Sequence, residues 1–506
     1  MILLDEVEGS SKLAAPAATL RRPETVAGRS ASPLPDYETS QAQQHTAALE
    51  SPTKPSFPKR FGSRFWRVTF FALAIYVFLS VVIGIPVIVT QIAFRKAHTP
   101  PPVMQNLMTV FLADSNQAAP PLNFPSSEGS MIMAESSTIC DTWDSKTIAG
   151  SLYVATARHT LDAFGLLSVR SNATDEIIPH PGGMHNLTVG INDDRTETDV
   201  TLAVSLTSSS AALRERAHVC FAYNGTNRGV SVYLPDGLSP SDVLAFNIRL
   251  LFPHTSRVLT FTDLITYLPM FQQSFGYISP NIRIQNINVA GAGLNISCDS
   301  FQANKIAVST SFASITGSFN ATQSIKLDNI NGPITSNVTL YNDPSTNLAT
   351  YLAIDSGNSP ITTYVTMVGP AKSLIKPMFN IGIQTFGGDL SANVGHDSKT
   401  PPAALQLYMS NNEALTHVQL DSKFMGIFDL RTKLGNVTLD SERVMDHGKD
   451  PTGAGRSWGV ALDAEASSLL RGWFGYGPRP KTYNPMMDGA VSVGSSLGQI
   501  VLEVVP

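Results

Sequence analysis

A long uninterrupted apolar segment is the clearest feature of the hydropathy pattern. Residues Val68–Phe94 contain no Asp, Glu, Lys or Arg over 27 positions. As a helix this segment would be about 40 Å long, which exceeds the roughly 30 Å hydrocarbon core of a bilayer. A secretory signal peptide, the competing interpretation, has a shorter apolar region close to the N-terminus. The pattern therefore predicts one transmembrane helix at residues 68–94.

Basic residues are distributed unevenly around this segment, and the cytosolic flank of a membrane span carries the excess of Lys and Arg. Only Arg95 and Lys96 directly follow it, whereas five basic residues precede it closely: Lys54, Lys59, Arg60, Arg64 and Arg67. This predicts a single-pass protein of the plasma membrane or secretory pathway, with a cytosolic N-terminus. Residues 1–67 lack apolar periodicity and predict a disordered tail. Residues 95–130 include a proline run and predict a stalk.

Apolar and polar residues alternate with period two along much of residues 131–506, for example in Thr201–Leu206 and Val230–Leu234. Successive side chains of a strand face opposite sides of the sheet, so this alternation predicts a mainly β outer part. We expect a β-rich part over residues 131–279. Ala464–Leu470 is a short helical candidate.

From about residue 280 the alternation repeats as a unit. The segment Phe428–Leu439 superimposes on Val491–Leu502, with apolar residues and one glycine at the same positions. Such a unit cannot bury its own apolar face, so neighbouring copies must stack. We therefore expect a β-solenoid over residues 280–506, in which Leu434 and Leu497 are equivalent inward-facing positions. A β-sandwich of meandering hairpins is the alternative.

Composition narrows the function classes. The chain is 43% apolar, which is ample for a core, but only 15% charged, with a net charge of -5. A basic footprint for nucleic acid is missing from this composition, so we expect no nucleic-acid partner. Low charge together with abundant Ser, Thr, Asn and Gly is typical of an extracellular β protein.

The three cysteines all lie on the predicted outer side of the membrane, where disulfides form. One bridge leaves one cysteine over. We expect a disulfide between Cys140 and Cys220. Cys298 would then be buried as a small apolar residue, or else free for an intermolecular bond.

The same outer part contains Asn-x-Ser/Thr sequons, which are acceptors for N-glycosylation. Their number is close to what chance supplies, so they agree with the predicted topology without proving it. The seven candidate glycosylation sites are Asn172, Asn186, Asn224, Asn295, Asn320, Asn337 and Asn436.

Several patterns resemble catalytic or metal sites, but each lacks a residue that the corresponding chemistry requires. Ser457 and Ser496 are each the centre of a Gly-x-Ser-x-Gly match, but in the hydrolase fold with this motif the histidine follows the serine. The last histidine of this chain is His447. His180 and His185 are five residues apart in a Pro- and Gly-rich loop, with no third ligand specified. We therefore predict a protein that is not an enzyme and has no catalytic, cofactor-binding or metal site.

A short motif in the tail is a candidate docking site. Leu34, Pro35 and Tyr37 form a Pro-x-Tyr element with Asp36. WW domains bind such elements in extended conformation, so a WW-domain protein is a candidate cytosolic partner.

The basic Pro-rich tail with this motif, the single helix, the Cys140-Asp-Thr-Trp143 stretch and the Gly-punctuated repeats resemble fungal single-pass membrane proteins. Their distal domain is similar to the adhesin-like β-solenoid domains of bacteria and fungi. The resemblance covers about residues 140–506 and brings no catalytic residue. It implies a non-enzymatic protein for adhesion, cell-wall contact or ligand display, with a cell-wall glycan or a surface protein as partner.

Two other functions remain open. One is a membrane-tethered β-helical carbohydrate-active enzyme, and the other is a receptor-like protein whose tail recruits cytosolic partners. Clustered acidic side chains on one face of the solenoid would favour the enzyme. A face of Ser, Thr and Asn would favour display.

Overall fold

The computed structural model describes residues 137–506 apart from 162–164, 174–183, 240, 279–280, 373, 442–449, 452, 483 and 485–487. The predicted tail, transmembrane helix, stalk and docking motif (Leu34, Pro35 and Tyr37) lie outside the described residues. Within those residues, no helix has the length and apolar character needed to cross a membrane.

The described part of the chain is mainly β. It contains one α-helix, α1 (Ala211–Arg216), one 3-10 turn (Pro344–Thr346) and 27 strands. The strands are β1 (Ser137–Cys140), β2 (Ser145–Ala149), β3 (Leu152–Leu161), β4 (Leu166–Ser171), β5 (His185–Ile191), β6 (Val200–Ser208), β7 (His218–Asn224), β8 (Asn227–Tyr233), β9 (Leu244–Phe252), β10 (Leu259–Tyr267), β11 (Phe271–Phe275), β12 (Ile282–Ala290), β13 (Ile296–Thr310), β14 (Ile315–Asn329), β15 (Ile334–Tyr341), β16 (Thr350–Ser356), β17 (Ile361–Val368), β18 (Met378–Thr385), β19 (Leu390–His396), β20 (Ala404–Asn411), β21 (Thr416–Asp421), β22 (Gly426–Arg431), β23 (Val437–Asp440), β24 (Trp458–Ala466), β25 (Leu469–Tyr476), β26 (Gly489–Ser495) and β27 (Ile500–Val505).

Most strands pair in parallel with a strand that is not their neighbour in the sequence, and the pairs form two rows. Row A runs β8, β4, β10, β12, β13, β14, β16, β18, β20, β26, β22. Row B runs β9, β5, β11, β13, β14, β15, β17, β19, β21, β27, β23. We call a row-A strand and the row-B strand that follows it a rung. The long strands β13 and β14 each serve both rows.

The core lies between the two rows, where side chains at alternate positions point inward. Aligned residues of successive rungs stack on each other; one such column is Ile296, Ile315, Ile334, Ile361 and Leu390. None of these five side chains is more than 1% exposed. Burying one fully contributes about 1.5–3 kcal/mol, so the alternating pattern stabilises every rung in the same way.

Antiparallel strands cover both strands of the rung at one end of the stack and the row-A strand of the rung at the other end. At one end β7 pairs with β8 and β6 pairs with β9. At the other end β25 pairs with β22, and β24 pairs with β25. The parallel pairing also crosses residue 280, the boundary that the repeat suggested, because β10 pairs with β12.

The predicted repeat is found in the structure, but the predicted inward leucines are wrong. Phe428 aligns with Val491 and Val437 aligns with Ile500, which is the register read from the sequence. Leu434 and Leu497 are nevertheless 79% and 50% exposed. Both lie at the corner where the chain passes from row A to row B, and there the alternation of a strand no longer applies.

Tight stacking of the corners explains why these leucines point outward. The residue after each leucine is a glycine, and a Cβ on Gly498 would overlap the carbonyl oxygen of Ala414. A Cβ on Gly435 would likewise overlap the carbonyl oxygen of Gly498. With backbone against backbone at this position, no space remains inside the corner for a large side chain. The leucine before the glycine is therefore directed to solvent.

Candidate functional site

The outward side of row B carries a column of hydroxyl side chains. In β14, β15, β17 and β19, the residue after the first inward position is Thr316, Thr335, Thr362 and Ser391, respectively. Strands of a sheet are about 4.8 Å apart, so these hydroxyls repeat at that spacing. Thr316 and Thr335 are exposed, and Thr362 and Ser391 are half-buried. We call them the hydroxyl column.

A second outward column lies two residues further along the same strands and continues into β21 and β27. We call it the amide column; its aligned members are Ser318, Asn337, Tyr364, Asn393, Gln419 and Glu503. Asn393 donates a hydrogen bond to Oε1 of Gln419. Gln419 donates in turn to Oε2 of Glu503, at 3.1 Å. Tyr364 is 55% exposed, so the column presents one aromatic ring between amides.

Exposed apolar side chains follow the corners beside these columns. We call them the apolar ridge: Phe312, Ile330, Phe386, Leu415, Leu497 and Leu434 are each at least 43% exposed. Backbone hydrogen bonds join the corners of successive rungs, for example Phe386 N–H to Gly357 O at 2.7 Å and Leu497 N–H to Asn412 O at 2.8 Å. The backbone thus places these side chains along one side of the stack.

Row A presents a different outward surface with two carboxylates in adjacent rungs. Asp328 aligns with Asp355. The Lys326 ammonium lies 3.1 Å from Asp328, and Gln384 donates to Asp355 at 2.5 Å. Burial, assisted by the charge of Asp328, raises the pKa of Asp355. Each carboxylate therefore already has a partner on the protein.

The cysteines are arranged in two different environments. Cys140 and Cys220 are joined by a disulfide across the antiparallel strands β1 and β7, where they are aligned residues. Cys298 is a free, buried thiol in β13. Burial raises the pKa of the Cys298 thiol, and its Sγ lies 3.7 Å from the carbonyl oxygen of Ser318. An apolar role for Cys298 agrees with these surroundings.

The sequon asparagines are distributed over the surface. None is buried: Asn172, Asn224, Asn295, Asn337 and Asn436 are exposed, and Asn186 and Asn320 are half-buried. The Asn172 side chain is occupied, because it accepts from Leu234 N–H at 2.7 Å and donates to Leu234 O at 3.2 Å. Asn337 belongs to the amide column, and Asn436 lies at the corner of β22 and β23.

The two Gly-x-Ser-x-Gly matches and the histidine pair do not form a catalytic or metal site. Ser496 is a corner residue whose carbonyl accepts from Leu434 N–H at 3.0 Å, and Ser457 is exposed on a loop. His185 is only 4% exposed, and His180 lies outside the described residues. In the part of the chain that the structure describes, no group of three or more His, Cys, Asp or Glu residues could hold a metal ion.

The two columns and the ridge were not identified as a site from the sequence. The signal was present in Thr335-x-Asn337-x-Thr339 and Thr362-x-Tyr364-x-Thr366, where polar residues alternate with buried ones. A single strand does not show which other strands lie beside it. The site is a property of the stacking, which joins residues about 27 positions apart.

No family model and no curated protein matches this chain. Distant likenesses exist among solved structures. A candidate adhesin from Parabacteroides distasonis is 8% identical, with 70% of this chain and 97% of that chain covered and a TM-score of 0.31. A candidate adhesin from Parabacteroides merdae is 9% identical over 71% and 97%, with a TM-score of 0.28. A candidate cell adhesion protein from Clostridium sporogenes is 10% identical over 69% and 98%, with a TM-score of 0.15. At these TM-scores the likenesses identify neither the family nor the function of this chain.

Proposed function

We propose that this chain is a single-pass membrane glycoprotein whose outer part is a β-solenoid that binds a cell-wall or cell-surface glycan. Parallel pairing along rows A and B supports the solenoid, since a sandwich of meandering hairpins would pair neighbouring strands in antiparallel fashion. The observation that carries the function is the outward face of row B, with its hydroxyl column and amide column beside the apolar ridge.

The chemistry of this face suits a glycan. Sugar hydroxyls need donors and acceptors in a regular arrangement, and Thr316, Thr335 and Asn337 offer them from exposed positions. The apolar face of a sugar ring needs a flat apolar partner, and Tyr364 and Phe386 are 55% and 54% exposed. The face is open and extended, which favours binding along a polymer over the enclosure of a small molecule.

The proposed topology has the N-terminus in the cytosol and the β part outside, at the plasma membrane or in the secretory pathway. The basic residues that precede Val68 support this orientation. The bond between Cys140 and Cys220 also supports it, because disulfides persist in oxidising compartments. In this arrangement Leu34, Pro35 and Tyr37 are accessible to a cytosolic WW-domain protein.

A glycan array probed with the full-length chain in detergent micelles tests the proposal. Tyr364→Ala should weaken binding about tenfold, which corresponds to roughly 1.4 kcal/mol. Tyr233→Ala is the matched control, because Tyr233 is 41% exposed at the end of β8 in row A. The array should also be probed after glycosidase treatment, since a glycan on Asn337 would cover the face. Absence of binding in both samples, or equal loss in the two variants, would overturn the proposal.

A second candidate function is the carbohydrate-active enzyme, and the carboxylates of row A are the observation that favours it. Asp328 and Asp355 lie in adjacent strands, about 4.8 Å apart at the backbone. Retaining glycosidases use two neighbouring carboxyl groups, one of them with a raised pKa, as Asp355 has. Shortened glycans on the array that persist with Tyr364→Ala and vanish with Asp355→Asn would establish this function instead.

A further inference from the structure

The order of the rungs differs from the order of the sequence at one end of the stack. The strands β26 and β27 lie between β20/β21 and β22/β23, although both of those rungs come earlier in the chain. Val491 of β26 aligns with Leu407 on one side and with Phe428 on the other. We call this position the slot. Both rungs that flank the slot therefore precede, in the sequence, the two strands that fill it.

Backbone hydrogen bonds hold the filling strands on both sides of the slot. Toward β20/β21, Thr416 N–H donates to Gln499 O at 2.9 Å. Toward β22/β23, Ile500 N–H donates to Asn436 O at 2.9 Å. The rung of β26 and β27 gains such ladders on two edges and also buries two valines of β26 and three apolar side chains of β27: Val491, Val493, Ile500, Leu502 and Val504. An empty slot would thus leave two sets of unpaired strand edges, which readily recruit another strand.

The slot also selects its occupant by shape. Gly489 begins β26, and a Cβ there would meet the ring of Phe424 at 2.5 Å. Gly498 occupies the corner, where a Cβ would overlap the carbonyl oxygen of Ala414. An occupant therefore needs glycine at these two positions and apolar residues at alternate positions after each. Residues 489–505 of this chain meet both requirements.

The connection into β26 is longer than its path requires. Phe474 and Gly489 both align with Gly426, on opposite sides of β22, so the path from β25 to β26 crosses two strand spacings of about 4.8 Å. The connection from β21 to β22 also advances by two rung spacings but uses only residues 422–425, whereas residues 477–488 form a connection of twelve residues. A segment of twelve residues can span up to about 40 Å when extended, roughly four times the distance between those strands.

We propose that the slot is an acceptor site for β26 and β27 of a second copy of this chain, so that two copies exchange these strands reciprocally. In the partner, the exchanged strands make the same hydrogen bonds and apolar contacts that they make within their own chain. The inference does not depend on glycan binding or on the membrane topology.

Disulfide trapping between two differently tagged full-length chains tests the exchange. Ser410 of β20 aligns with Gly494 of β26, and a Cβ at Gly494 meets no atom within 4 Å. One chain carries S410C and the other carries G494C, and the two are co-expressed. A disulfide-linked dimer that carries both tags on a non-reducing gel is the expected result. The control pair is Q384C with G494C, because Gln384 lies one rung beyond Ser410.

The double variant S410C/G494C in a single chain distinguishes pairing of β26 with β20 of its own chain from pairing with β20 of a second chain. If it forms an intramolecular bond while the mixed pair gives no more dimer than the control pair, the strands stay within their own chain and the proposal is overturned. If neither bond forms, β26 does not lie beside β20 and the slot itself is refuted. A mixed dimer several-fold above the control pair supports the exchange.

Discussion

Protonation of one buried histidine should destabilise the domain at acidic pH. His185 begins β5 and its ring stacks on Phe271, with the ring centroids 4.9 Å apart. Its Nδ1 accepts a hydrogen bond from the backbone N–H of Phe246 at 3.1 Å. Protonation would replace this acceptor with a donor and place a charge among aromatic rings. Burial accordingly lowers the pKa of His185 to about 4, from an ordinary value of 6.5.

The size and direction of the effect follow from these two pKa values. Above pH 6.5 the histidine is neutral in both states and the free energy of unfolding is unaffected. Between pH 6.5 and about 4 the unfolded chain takes up a proton that the folded chain refuses, so stability is lost as the pH falls. At about 1.4 kcal/mol per pH unit, the loss is about 3 kcal/mol at pH 4.

Urea unfolding of wild type and His185→Gln at several pH values isolates the contribution of His185 protonation to the free energy of unfolding. The contributions of other titrating groups are the same in both proteins and cancel in the difference. Glutamine keeps an acceptor for Phe246 N–H, so the variant should lose stability mainly through packing, by an amount independent of pH. The stability difference between the two proteins should therefore shrink by about 3 kcal/mol from pH 7.5 to 4. His254→Gln is the control, because His254 is exposed in the loop between β9 and β10. A difference that stays constant with pH would refute the assignment.

Three further outcomes are expected. Leu430→Ala should lower the free energy of unfolding by about 2–5 kcal/mol through lost burial and a cavity, whereas Leu434→Ala should cost under about 0.5 kcal/mol; equal losses in urea unfolding would contradict the corner geometry. Non-reducing peptide mapping should recover Cys140 and Cys220 in one linked fragment pair, and free thiols at both positions would remove the bridge. Glycosidase should lower the apparent mass of the full chain, and Asn337→Gln should remove part of that shift; no shift in either protein would contradict an outer location.

Local patterns predicted the strands well and their arrangement only in part. Period-two alternation identifies a strand because its two faces meet different surroundings, and the match of Phe428–Leu439 with Val491–Leu502 gave the correct register. The same pattern does not distinguish a strand from a corner, which is why the inward position predicted for Leu434 is wrong. Ala464–Leu470, a helical candidate, is instead the end of β24, a turn and the start of β25. The segment forms strands because β25 pairs with β22, and this pairing cannot be read from local propensity.

The site was less predictable than the strands for a related reason. Thr335, Tyr364 and Ser391 become one surface only when their rungs stack, and the stacking order is set by contacts between segments far apart in sequence. The order cannot be read by counting rungs along the chain, since β26 and β27 enter between two earlier rungs. A repeat shows that segments are interchangeable in a stack but does not show which of them are neighbours.

The interchangeability of rungs also raises the question of why such a stack does not grow without limit. A bare edge of a parallel row would accept further strands, and both ends of row A are closed by antiparallel strands. At one end the disulfide of Cys140 and Cys220 ties β1 to the covering strand β7. At the other, the buried carboxylate of Asp429 accepts from Arg471 Nε at 3.2 Å and so ties β25 to β22. In the proposed exchange, each copy supplies one pair of donor strands and one slot, so a reciprocal exchange is complete with two chains.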